Sequence, residues 1–302
     1  DGETRLRGVG PGVLPAAGGA RAARAITVGG GALFLAAPVY LLLSGNGRVT
    51  TSSDAGAPSA SLWTVLGPLA AGLLVALLVP PRTTGLAAPA ARPLRETWVM
   101  VGAAVAFPVV AGAVVLAGVP NDGWYALLKL VVLLAVPLTA LLLTRKSGPE
   151  KQRWHGPARW LWPLPAVAVW AYAEYFSPWR GPALDPADYP DLVETAIIAT
   201  LTFLTASVLE EVFYRKWLQT RLESRLGSAA GVIATALLFA AMHIPTHHPH
   251  DDALANIAGV VAFQGAFGLF VGVLWARHRN IWVIIAVHAA TNAASLIPLY
   301  VG

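Results

Sequence analysis

Residues 192–215 read LVETAIIATLTFLTASVLEEVFYR, an apolar run that closes on Glu210-Glu211 with Arg215 four residues beyond Glu211. The run is as long as the roughly 20 residues an α-helix needs to cross a bilayer. In such a helix each central charge costs about 2.5–3.5 kcal/mol to insert, and intramembrane ionisable groups mark function by default. Two adjacent carboxylates at that cost imply a membrane helix whose acids are used.

Composition extends this reading to the whole chain. Its 302 residues are 56% hydrophobic and 12% charged, with mean hydropathy +0.61. Soluble domains carry about 25% charged residues, so the shortfall indicates a polytopic membrane protein with the lipid bilayer as its surroundings. The absence of cysteine excludes disulfides, thiol catalysis and thiolate metal sites. The net charge of +5 comes without a basic stripe interleaved with aromatics, so nucleic acid is not expected as a partner.

Nine apolar segments can be drawn, at 26–44, 60–80, 97–119, 124–144, 160–177, 192–214, 228–244, 254–276 and 281–299. The expected fold is therefore all-α, a polytopic bundle of about nine transmembrane helices forming a single membrane domain. Residues 1–25 are rich in Gly, Ala and Arg and are expected to be flexible. Asp1 points to a trimmed or tagged chain. The first apolar segment follows Arg21 and Arg24 as a signal peptide would, but its length favours a retained helix. Residues 26–180 hold the N-terminal helices and 190–302 the core that carries the chemistry.

Lysine and arginine give the orientation. Arg5, Arg7, Arg21, Arg24, Arg82, Arg92, Arg95, Arg145, Lys146, Lys151, Arg153, Arg159, Arg215, Lys216, Arg221, Arg225, Arg277 and Arg279 all fall on one side of a nine-span arrangement, 18 in number, against Arg48 and Arg180 on the other. The positive-inside rule then places the N-terminus and the even loops in the cytoplasm. Trp63, Trp98, Trp124, Trp160, Trp162, Trp179, Trp275 and Trp282 fall near segment ends, where interfacial aromatics belong.

Few ionisable groups remain inside the segments. Lys129, Glu174 and Glu194 lie near segment ends and are expected to snorkel toward the interface. Glu210, Glu211, Arg215, His243 and His288 lie in the C-terminal third. Glu211 and Arg215 are spaced i,i+4, share a face and are expected to pair, while Glu210 is turned about 100° away. Phe239 precedes His243 by one turn, and His288 precedes Asn292 by one turn. If 192–222 and 229–244 form a hairpin turning near Gly227, Glu211 and His243 each stand about 24 Å from the turn at 1.5 Å per residue. His288 lies about 14 Å beyond the basic turn at Arg279. The groups are expected to converge inside the membrane, nearer the cytoplasmic face.

A carboxylate and an imidazole in an apolar cavity can activate water, and a histidine and an asparagine one turn apart can stabilise an oxyanion. The expected roles are Glu210 as base, His243 as its partner on the water, His288 with Asn292 as oxyanion donors, and Glu211 with Arg215 as the orienting pair. The two carboxylates are exchangeable in these roles. The stretch His247-His248-Pro249-His250-Asp251-Asp252 is expected to be a solvated, pH-sensitive loop rather than a metal cluster.

Glu-Glu-x-x-x-Arg at 210–215, Phe-x-x-x-His at 239–243 and His-x-x-x-Asn at 288–292 together resemble the three motifs of the CaaX protease and bacteriocin-processing (CPBP, or Abi) family of intramembrane endopeptidases. The resemblance covers about residues 190–300. It implies a multi-helix intramembrane protease in which Glu210 and His243 activate water, acting on membrane-associated, lipidated or leader peptide substrates. It carries over a dispute between metal-dependent and glutamate-dependent catalysis. No His-Glu-x-x-His helix is present, which excludes an ordinary zincin. Metal-free catalysis is favoured, with zinc on Glu210, His243 and His288 as the alternative. A transporter subunit relaying through the buried charges, or a silent immunity or scaffold protein on the same fold, are the competing readings. The alanine- and arginine-rich, lysine-poor composition points to a bacterial cytoplasmic membrane.

Overall fold

Each of the nine expected apolar segments coincides with helix in the computed structural model, which describes residues 17–50, 59–79, 94–120, 123–143, 158–178, 191–247 and 252–293. The helices are α1 (Ala17–Leu43), α2 (Leu62–Leu78), α3 (Leu94–Leu116), α4 (Trp124–Leu143), the single turn α5 (Ala158–Leu161), α6 (Leu164–Tyr175), α7 (Leu192–Leu226), α8 (Ser228–His243), α9 (Ala253–His278) and α10 (Ile281–Ala293). Among the described residues, six helices are long and apolar enough to cross a membrane: α1, α3, α4, α7, α8 with the turn after it, and α9. α2 and α10 are shorter apolar helices. The chain is an integral membrane protein. One two-stranded ribbon, β1 (Arg48–Thr50) against β2 (Ser59–Ser61), joins α1 to α2.

Local signals set the helix starts. Ser61 accepts the Thr64 N–H at 3.2 Å to begin α2. Asp191 accepts the N–H groups of Val193 and Glu194, at 2.8 and 3.1 Å, to begin α7. Asp252 accepts from Leu254 at 2.8 Å to begin α9. Each supplies an acceptor to a first-turn donor that has no intrahelical partner. At the other end of the chain, α1 starts at Ala17, so residues 17–25, expected to be flexible, are helical. Ala20, Ala22, Ala23 and Ala25 are strong helix formers and explain the extension. Residues 1–16 lie outside the described residues.

α7 and α8 form the expected hairpin. Gly227 turns between them with φ 80°, a region that favours glycine. The two helices then run in close contact, since a Cβ at Gly231 would lie 2.7 Å from the Glu223 backbone nitrogen. Higher up, Arg215 and Phe239, each twelve residues from Gly227, are in contact, as equal heights require. α8 also packs on α1, α3 and α9, while α10 lies against α7 and α9. Two π-turned stretches, Phe203–Val208 and Val212–Gln219, flank Glu210-Glu211 on α7. A π turn adds the equivalent of one residue and rotates the rest of the helix by about 100°.

The lower end of the bundle is a polar layer. Arg221 pairs with Glu96 at 2.7 Å, Arg279 pairs with Glu223, Arg225 donates to Thr97 at 3.1 Å, and Arg277 donates to the Val79 carbonyl at 2.7 Å. These contacts gather the start of α3 with the ends of α2, α7 and α9, so this is the basic end read from the loops. Trp63, Trp98, Trp160 and Trp282 are exposed, as interfacial anchors should be. Trp275 is not one of them: it is buried and donates to Thr220 at 3.2 Å, because an internal hydroxyl satisfies its indole N–H.

Candidate active site

The two glutamates that close the apolar run face different partners. Glu211 is fully buried, and each of its oxygens lies beside a basic side chain. Oε2 lies 3.2 Å from Arg215 Nε, and Oε1 lies 2.8 Å from His288 Nδ1. The arginine contact is close but not aligned as a hydrogen bond, so its attraction is coulombic. The Arg215 guanidinium also stacks 4.9 Å from the centre of the Phe239 ring, a favourable site for a desolvated cation.

Glu210 turns toward α4. Its Oε1 lies 2.6 Å from Lys129 Nζ, with both residues buried. Its Oε2 has no hydrogen-bond partner among the described residues. This corrects the expectation that Lys129 snorkels. The ammonium turns inward because a carboxylate lies within reach in a low-dielectric interior, where removing one partner of such a pair costs about 3–5 kcal/mol. Glu194, exposed in the first turn of α7, and Glu174, half-buried near the end of α6, do lie at helix ends.

Phe239 is the hub that joins the three motifs. Its ring lies 4.9 Å from that of His243 and 6.1 Å from that of His288, besides meeting Arg215. Phe267 on α9 backs His288 at 4.8 Å. His243 ends α8, and its Nδ1 lies 2.9 Å from the Phe239 carbonyl. A carbonyl only accepts, so Nδ1 carries the proton and Nε2 presents a lone pair in the neutral ring. His288 likewise donates from Nδ1 to the Glu211 carboxylate, so its Nε2 donates only when the ring is doubly protonated. Asn292, one turn on, reaches Ser207 Oγ with its Nδ2 at 3.5 Å. Ser207 is buried one turn before Glu211, which places Asn292 beside the glutamate turn.

Helix lengths give the height of the site. Glu210 stands eleven residues, about 16 Å, above Arg221 in the basic layer, whereas Lys129 lies only about 8 Å from Trp124 at the opposite end of the bundle. His243 also lies at that end, where α8 stops. His288 stands nine residues, about 14 Å, beyond Arg279 in the basic layer, so the groups lie between the two ends of the bundle.

Two participants, Tyr125 and Ser207, escape a reading of the sequence. Tyr125 lies one turn before Lys129. Its ring is 4.8 Å from the ammonium, and its hydroxyl donates to the Met242 carbonyl at 3.2 Å. The i,i+4 spacing of Tyr125 and Lys129 is the available signal. Ser207 carries none. His247, expected in a solvated loop, is buried; its Nδ1 donates to the His243 carbonyl at 3.0 Å and its ring lies 5.4 Å from that of His243. The turn Ile244–Thr246 folds it back onto α8, which explains the difference. Asp252 is engaged by the Tyr40 hydroxyl at 2.7 Å, and residues 248–251 lie outside the described residues.

Zinc on Glu210, His243 and His288 fits this arrangement poorly. One Glu210 oxygen faces an ammonium, Glu211 lies between Arg215 and His288, and among the described residues no three His, Cys, Asp or Glu side chains gather as a ligand set.

Residues 192–294 match the family model described as type II CAAX prenyl endopeptidase Rce1-like. Neither the comparison with curated proteins nor that with solved structures gives a match. The matched stretch spans about a third of the chain and contains α7 to α10 with all three motifs, while α4 and Lys129 fall outside it. Over its C-terminal third the chain is thus similar to the Rce1-like type II CAAX prenyl endopeptidases.

Proposed function

We propose that this protein is an intramembrane endopeptidase that hydrolyses a peptide bond of a membrane-associated protein, lipidated peptide or leader peptide with a water activated by Glu210 and His243. The observation that carries this reading is the division of labour between adjacent carboxylates. Glu211 is flanked by Arg215 and His288 together, while Glu210 faces Lys129 through Oε1 and leaves Oε2 without a hydrogen bond among the described residues.

On this reading one water meets two acceptors, Glu210 Oε2 and the lone pair of His243 Nε2. Glu210 takes a proton as the water oxygen attacks the carbonyl carbon. The developing oxyanion is met by Asn292 Nδ2 and by His288 Nε2–H in its doubly protonated form, whose charge faces the Glu211 carboxylate. Collapse breaks the C–N bond, and Glu210 returns the proton to the leaving amine. Glu211 and Arg215 fix His288 and remain unchanged. The protein resides in a bacterial cytoplasmic membrane with the basic end of the bundle in the cytoplasm.

The test is a digest by the purified full chain in lipid nanodiscs, using a peptide pool that includes farnesylated CaaX peptides, with and without a chelator. Defined cleavage products at a rate the chelator leaves within about twofold are expected. Complete loss on chelation, restored by zinc, overturns the metal-free mechanism. No cleavage of any peptide by the folded wild type overturns the endopeptidase reading in favour of a transporter or scaffold.

A further inference from the structure

The family-matched residues supply both carboxylates, both motif histidines and the asparagine, yet the nearest charge to Glu210 comes from elsewhere in the chain. Lys129 Nζ approaches Glu210 Oε1 at 2.6 Å, from a helix that ends about fifty residues before the matched segment begins. The ammonium engages one oxygen only. Oε2, on the same carboxylate, accepts no hydrogen bond among the described residues. A carboxylate held at one oxygen cannot rotate freely, and the other oxygen then points in a set direction. That is the geometry a base needs to meet a water within about 3 Å.

The helix that carries Lys129 is itself tied to the site. Tyr125, one turn earlier on the same face, donates to the Met242 carbonyl at 3.2 Å, immediately before His243. Its ring supports the ammonium at 4.8 Å and is in turn packed edge-on by Phe107 at 5.3 Å and Trp124 at 5.6 Å. One turn of α4 thus touches the base through Lys129 and the backbone beside the proposed water partner through Tyr125. The chain passes into a π-turned stretch, Leu130–Ala135, directly after Lys129, as local distortions do beside functional groups.

We propose that Lys129 is a positioning residue for the Glu210 base: its ammonium holds Oε1, balances the carboxylate charge and leaves Oε2 directed at the water. This rests on the endopeptidase reading above. It also assigns the N-terminal helices a part in the chemistry, since α4 completes a site that the matched segment holds only in part.

The experiment compares wild type, Lys129→Met, Lys129→Arg and Glu210→Gln in nanodiscs, each purified as a monodisperse full chain. The probe is a farnesylated CaaX peptide with a quenched fluorophore, beside an unlipidated peptide pool. Lys129→Met is expected to lower kcat by about 100-fold with KM within about twofold, and Lys129→Arg to recover at least about a tenth of the wild-type kcat. Where Lys129→Met does not fold, Lys129→Gln takes its place, with an expected loss of about 30-fold. Wild-type kcat in Lys129→Met or Lys129→Gln, beside an inactive Glu210→Gln, overturns the role of Lys129 and leaves the endopeptidase reading standing. A change confined to KM or to thermal stability also overturns it. No cleavage by the wild type removes the endopeptidase reading and this inference with it.

Discussion

Glu223 and Glu210 lie on the same helix, α7, less than four turns apart, and both are buried. At Glu223 every oxygen is engaged: Oε1 accepts from Gln219 at 2.7 Å, and Oε2 pairs with Arg279. Gln219 extends the network to the Gly272 carbonyl at 2.8 Å, so the group ties α7 to α9. At Glu210 one oxygen meets Lys129 and the other accepts no hydrogen bond among the described residues. Burial is the same in both places and so is the presence of a cation. The difference lies in satisfaction. A buried acid with both oxygens engaged holds helices together, and one with an oxygen left over is available to react.

The contrast yields measurable expectations. The largest concerns the two acids themselves. Glu210→Gln is expected to lower kcat by about 10²–10⁴-fold while the melting temperature shows a folded protein. Glu223→Gln is expected to lower the melting temperature by several degrees and to leave kcat of the folded fraction within about threefold, as independent sites do. Equal losses of kcat in both variants would erase the distinction drawn between them. Next in size, Asn292→Ala is expected to reduce kcat by about 10²-fold with little change in KM, the signature of a lost oxyanion donor. A pure KM effect would move Asn292 from the oxyanion to substrate binding.

The smallest effect is on activity but decides which end faces the cytoplasm. The chain has no cysteine, so single-cysteine reporters are clean. Ser228 at the hairpin turn and Ser44 at the other end are both exposed. An impermeant maleimide added to intact cells is expected to label Ser44→Cys, and to label Ser228→Cys only after lysis, with peptide cleavage unchanged in both. The reverse pattern would invert the orientation.

Much of the architecture is legible in the chain itself. Each of the nine apolar segments contains helix among the described residues, because a helix in lipid must satisfy its own backbone and hydropathy alone marks it; six of the helices are long and apolar enough to cross a membrane. The Glu211–Arg215 pair follows from i,i+4 spacing, and the contact of Arg215 with Phe239 follows from equal distances to Gly227. Lys129 departs from expectation because a lysine near a helix end snorkels by default. Its partner lies 81 residues away in the chain, and no local pattern announces that. His247 departs for a similar reason: a polar run beside two aspartates looks solvated until a single tight turn folds its first residue inward.

The chain alone determined that two carboxylates, two imidazoles and an amide stand at helical spacings within membrane-long segments. Those facts follow from 1.5 Å of rise and 3.6 residues per turn, which act on neighbours in sequence. Which carboxylate pairs with Arg215 and His288, which keeps an oxygen unengaged, and how far the site stands from each end of the bundle were decided by tertiary structure. The helices around the π-turned stretches of α7 rotate against one another by amounts that packing sets, and α4 brings a cation from a distant part of the chain. Charges in a low-dielectric interior pair with whatever opposite charge the fold carries within a few ångströms, wherever it lies in the sequence.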